Sequence, residues 1–260
     1  ICTDLEAQTT AMNQTKGDVT GPLLVMKSNS AGADMNGWNV KKGAKLDIAV
    51  PTWCETRTDK WYGGELWFHA PLRLEKTCYF GYGTNCFAQG ANVYADVNLH
   101  VGLGASDTGL RDCVIFRDNA IFNGAQIRFC GSDSCTSNTL EIDGDDVVVD
   151  VNQLHLNPQS TWGDQYLIVK RGKLQVNNSF STEANASVNP GHLLVTGGQV
   201  IIKPNLYCYN GTVRVETVKV GTEAHLHLKN LRFYGDSQMY LDSTVAAYAK
   251  EGILCVKPIC

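Results

Sequence analysis

The run Glu141-Ile-Asp143-Gly-Asp145-Asp146 places four carboxylates within six residues. Carboxylate oxygens at a turn are hard ligands, and Asp143, Asp145 and Asp146 are the candidates to hold Ca²⁺. Paired carboxylates also hydrolyse glycosides when one of them keeps its proton. That would make the chain a polysaccharide-active β-helix enzyme built on the same three acids. Neither chemistry is specific here: the run does not follow the EF-hand loop, and Asp-Gly-Asp is ordinary turn chemistry. No other cofactor is implied.

A second set is aromatic. Trp53, Trp61, Tyr62, Trp67, Phe68, Tyr79, Phe80, Tyr82 and Phe87 fall within one short stretch. Flat rings on a β surface suit the apolar faces of sugars, which singles out Trp61, Tyr62, Trp67 and Tyr82 as a glycan platform. In Glu65-Leu-Trp67-Phe-His69 the alternation of a strand puts Glu65, Trp67 and His69 on one face. The competing reading is a hydrophobic core for this part of the chain. His225-Leu-His227 sets two imidazoles on one strand face, with Glu223 beside them. That is a metal-capable pair without a third histidine nearby. His155 and His192 are isolated and read as structural. Serine-nucleophile, dinucleotide and P-loop motifs are missing, so the reading leans away from an enzyme.

Ten cysteines run from end to end of the chain: Cys2, Cys54, Cys78, Cys86, Cys113, Cys130, Cys135, Cys208, Cys255 and Cys260. An even, scattered set points to disulfides and an oxidising compartment, extracellular or at a cell surface. The short spacings Cys78–Cys86, Cys130–Cys135 and Cys255–Cys260 suit local loops. Cys130-x₄-Cys135 lacks the matching second pair of a zinc site. Sequons at Asn13, Asn177, Asn185 and Asn210 are candidate glycosylation sites. Ile1-Cys2-Thr3 reads as the start left after removal of a leader.

With 22 basic and 26 acidic residues the net charge is −4, which gives no electrostatic footprint for nucleic acid. No apolar run is long enough to span a membrane.

The elements that must position these groups are short and β-branched. From about Val93 onward, runs such as CVIFRD, TLEIDG, VVVDV, YLIVK, KLQVN and HLLVT alternate and are separated by small polar turns. Tyr166–Val176 lines up with His192–Ile202 at an offset of 26 residues, each copy bending at a glycine, Gly172 or Gly198. Val218–Leu228 is a looser third copy. Self-similarity at this period marks a solenoid whose coils bury their faces on one another.

The fold expected is therefore all-β, a β-solenoid or parallel β-helix with a disulfide-stapled, irregular N-terminal lobe. A β-sandwich or jelly roll is the alternative, and Asn123-Gly124, Asp143-Gly144 and Asn210-Gly211 would be its hairpin turns. The expected organisation is a lobe or cap over 1–90, a repetitive region over 91–242 and a cap over 243–260. Helices are expected at 4–16 and 243–251. The functional expectation is a non-enzymatic structural or adhesive protein that self-associates into a filament or matrix. A glycan-binding module is the alternative.

Overall fold

In the computed structural model the chain winds as a parallel β-solenoid. The described residues run from Glu65 to Leu241, except 75–77, 81–82, 102–111, 130–136, 157–163, 182–190, 210, 217, 219–222 and 235. Backbone strands are also described at 18–19, 24–26, 39–40, 45–48, 52–54 and 246–249. The helix expected at 4–16 lies outside these residues.

Each coil gives one strand to each of two ten-stranded sheets. The first sheet stacks Leu24–Met26, Lys45–Ile48, Glu65–Phe68, Thr84–Phe87, Asp112–Arg117, Ser137–Asp143, Asp164–Val169, Gly191–Val195, Thr212–Val215 and Gln238–Leu241. The second stacks Thr52–Cys54, Leu72–Leu74, Asn92–Val101, Ile121–Phe129, Val148–His155, Lys173–Ser181, Gly198–Tyr209, Ala224–Tyr234 and Ala246–Ala249, with Cys78–Phe80 beside Asn92–Val101. Every pairing is parallel, from Leu24–Met26 on Lys45–Ile48 to Ala224–Tyr234 on Ala246–Ala249. That rules out the hairpins of a sandwich: Asn123 and Gly124 lie within a strand, and Gly144 lies at a bend between sheets.

Alternation explains the architecture. In Asp164–Val169, Gln165, Leu167 and Val169 point inward and are fully buried, while Asp164, Tyr166 and Ile168 are half-exposed. Repeating this coil after coil builds inward columns such as Val114, Leu140, Leu167, Leu193 and Val213. Burying each such side chain contributes roughly 1.5–3 kcal/mol. Early in the solenoid the column is aromatic. Phe68 stacks on Phe87 at 4.9 Å and Phe87 on Phe116 at 4.8 Å. The cluster that suggested a platform thus divides: Phe68, Phe80 and Phe87 are core. Polar residues also enter the inward set: Asn138 donates to Gln165 at 2.8 Å, whereas Asn85 is fully buried between Leu66 and Val114 with neither amide atom hydrogen-bonded. Such a group costs about 1–3 kcal/mol.

Strands of the second sheet change register midway, between Ala95 and Asn98, Val151 and Gln153, and Ile202 and Asn205. A bulge bends its strand. The inward set also changes phase, from Val149 and Val151 to Leu154, so each long strand turns a corner. Both sheets continue unbroken through residue 90, and Glu65–Phe68 and Leu72–Leu74 already form a coil of the same ladder. The helix expected over 243–251 is instead a strand, Ala246–Ala249, paired with Ala224–Tyr234. Backbone pairing to an exposed edge overrides the weak helical preference of four small or aromatic residues.

Candidate ligand groove on the second sheet

The acidic run sits at the bend from the first sheet into the second. Glu141 and Asp143 point outward from Ser137–Asp143, and the next coil answers them. Lys170 Nζ lies 2.7 Å from Glu141 Oε1, and Arg171 Nε donates to Asp143 Oδ1 at 2.7 Å. Arg171 Nη1 also lies 3.7 Å from Asp145. The hydrogen bond from Asp143, then its charge, raises the Arg171 pKa above its ordinary value. A cation bound by these acids would have to displace Arg171. Among the described residues no group of three or more His, Cys, Asp or Glu side chains is arranged to hold a metal. Asp146 is exposed on the same turn.

Trp67 lies outward on the first sheet, half-buried. Its indole nitrogen donates to Glu65 at 3.0 Å, its ring stacks with His69 at 6.1 Å, and the Arg117 guanidinium stands 5.5 Å over its face. His69 in turn meets Asp47 at 3.3 Å. The other residues of the expected glycan platform, Trp61, Tyr62 and Tyr82, lie outside the described residues. His225 and His227 share the outward face of Ala224–Tyr234, and His227 Nε2 contacts Gln199 at 3.4 Å. Burial, then the neighbouring His225, lowers the pKa of His227.

The sequon at Asn177 lies within Lys173–Ser181, where its amide donates to Asp150 and accepts from Lys203 at 2.6 Å. Asn13, Asn185 and Asn210 are outside the described residues. Of the cysteines, Cys86 and Cys208 are buried and Cys113 is half-buried. The remaining seven side chains lie outside the described set.

An opening that the sequence does not reveal lies on the second sheet, at its corner. A groove of ≈ 480 Å³ is lined by His155, Asn178, Ser179, Phe180, Pro204, Asn205, Tyr207 and Lys229. These come from four successive coils. Strands in a sheet are about 4.8 Å apart, so the groove runs roughly 14 Å along the solenoid axis. Beyond the corner the outward residues form two rows. One is amide- and hydroxyl-rich: Asn98 is in register with Gln126, Gln126 with Gln153, Gln153 with Ser179, and Asn205 with Asn230. Gln126 donates to Gln153 at 3.3 Å and Asn230 to Asn205 at 2.9 Å. Asn205 also donates to Tyr207 Oη at 3.2 Å, which orients that ring. The other row carries His100, Arg128 and His155 in one run of register, and Tyr207 and Arg232 further along. His155, read from the sequence as structural, lines the groove. No single motif marks these residues, because neighbours in a row lie about one coil apart in the sequence and share a polar character more than one residue type.

The fold and this groove define a parallel β-solenoid with a polar, aromatic-edged cleft along one corner. No family model, curated protein or solved structure matches the chain. Among the described residues no helix is long and apolar enough to cross a membrane.

Proposed function

We propose that the protein is an extracellular, non-enzymatic β-solenoid that binds an extended glycan along the corner groove of its second sheet. The observation that carries this reading is the repetition of hydrogen-bonding side chains across four coils. Sugar recognition needs many convergent donors and acceptors and one ring face, and Asn178, Ser179, Asn205 and Tyr207 supply both kinds of contact. The spacing of coils is close to the length of one sugar unit, so a linear polysaccharide could offer the same contact to each coil in turn.

Among the described residues the lining contains no carboxylate, and the acids at Asp143, Asp145 and Asp146 are at the opposite end of the second-sheet strands. Paired-carboxylate hydrolysis therefore has no pair at the groove, which favours binding over cleavage. The ten scattered cysteines support an oxidising, extracellular or cell-surface location.

Retention on immobilised polysaccharides tests the reading. Tyr207→Ala should abolish retention while Trp67→Ala leaves it intact, with both variants folded by circular dichroism. Loss on Trp67→Ala alone would move the site to the early aromatic coils and reject the groove.

A second reading, self-association into a filament or matrix, draws on Gln238–Leu241. In this last described strand of the first sheet, Met239 and Leu241 are only partly buried against the core.

A further inference from the structure

Three cations stand in or beside the groove. Lys229 lines it, and Arg128 and Arg232 stand in the outward row that contains His155 and Tyr207. Among the described residues neither arginine forms an ion pair. Among the described residues the carboxylates on the outward face of this sheet, Asp96 and Asp150, are engaged on the other side of the corner. Asp96 takes Arg73 at 2.9 Å, and Asp150 accepts from Gln175 at 3.0 Å and from Asn177. A neutral glycan would give the two guanidinium groups nothing that water does not already supply. Arg128 and Arg232 are four coil steps apart, which is roughly 19 Å at the spacing of paired strands. Two fixed positive charges that far apart on one row suit a polymer with a regularly repeated anion. The guanidinium is a planar fork that matches a carboxylate with two parallel hydrogen bonds.

We propose that the groove selects a polyuronate, a polysaccharide carrying one carboxylate per sugar unit, through Arg128, Lys229 and Arg232. The inference rests on the glycan reading above and adds the charge of the ligand. The amide row beside it contacts the hydroxyls, Tyr207 supplies a ring face, and the three cations meet carboxylates on successive or alternate units. Selection against neutral chains comes from leaving Arg128 and Arg232 without a counter-charge once the groove is covered.

The test is affinity electrophoresis and calorimetry with polygalacturonate, its fully methyl-esterified form and a single-stranded oligothymidine. The acidic chain is expected to bind, more weakly as salt rises, and the ester to bind at least tenfold more weakly. Arg128→Gln and Arg232→Gln should each weaken the acidic chain by about tenfold. Arg128→Lys keeps the charge and loses the fork, and should fall between the parent and Arg128→Gln. Arg214→Gln, on the first sheet beside Tyr240, should have no effect. Equal binding of acid and ester would overturn the charge inference and leave the glycan reading standing. Oligothymidine bound as tightly as polygalacturonate would also overturn it, making the row a generic cationic strip. Binding of none of the carbohydrates would reject both.

Discussion

His100 sits at the start of the basic row and is 6% exposed. Its pKa falls from 6.5 to about 4, first because burial disfavours the imidazolium and then because the Arg128 charge repels it. His192, stacked on Tyr166 at 4.8 Å, is also lowered by burial, with Asp164 opposing the shift. A histidine whose folded pKa lies below its unfolded value is neutral in both states above pH 6.5. Below that pH the unfolded chain takes the proton first, so stability is lost as pH falls from 6.5 towards 4. For His100 the loss is on the order of 3 kcal/mol once both states are protonated. Carboxylates titrate in the same window, so the informative quantity is a difference. His100→Gln should flatten the drop in urea-unfolding free energy between pH 7 and pH 4 relative to the parent. An unchanged pH slope would mean that His100 is not held neutral by the fold.

At the scale of the element, the bends matter more than the strands. Gly172 and Gly198 have φ of 84° and 72°, in the left-handed region that side chains disfavour. A Cβ on Gly172 would stand 2.4 Å from the Gly144 carbonyl oxygen, and one on Gly198 2.5 Å from that of Gly172. The bends of successive coils are therefore stacked backbone on backbone. Gly172→Ala combines backbone strain with a clash that no rotamer relieves, and should cost more than about 2 kcal/mol. Lys170→Ala, which removes a half-exposed ion pair two residues away, should cost no more than about 1 kcal/mol. Equal losses by chemical denaturation would show that the bend tolerates a side chain. These glycines also explain why the repeat could be read. Tyr166 is in register with His192, and Val176 with Ile202, at the offset of 26 expected from the alignment. The third copy holds only in its second half. Leu226 and Leu228 pair with Val200 and Ile202, but Thr212–Val215, not Val218–Val220, stacks on His192–Val195. That coil is shorter on one sheet and longer in the loop that follows, so an ungapped alignment slides past it. The strand Ala246–Ala249 is not legible because Ala-Ala-Tyr-Ala has no alternation; only the ladder beside it makes it a strand.

For the whole molecule, the legible part is what many coils repeat: inward Val, Leu and Ile, and the glycine bends at Gly172 and Gly198. The groove is illegible because its residues are brought together only by register, from coils about 26 residues apart, with no fixed motif shared by all of them. The same contrast bears on self-association. A parallel ladder has no intrinsic stop, and among the described residues the columns Val213–Met239 and Val215–Leu241 end at Gln238–Leu241. Met239 and Leu241 are partly buried where their counterparts one coil earlier, Val213 and Val215, are fully buried. A second copy stacked on this strand would cover them and present the same strand again at its far side. Such a head-to-tail contact is heterologous and grows into filaments instead of closing. Sedimentation velocity across a concentration series should then give species that lengthen with concentration. Leu241→Lys, which places a charge in the new rung, should hold the protein as a monomer without lowering its unfolding temperature by more than a few degrees. A single monomeric species at every concentration would remove assembly from the account and leave the corner groove as the working surface of the solenoid.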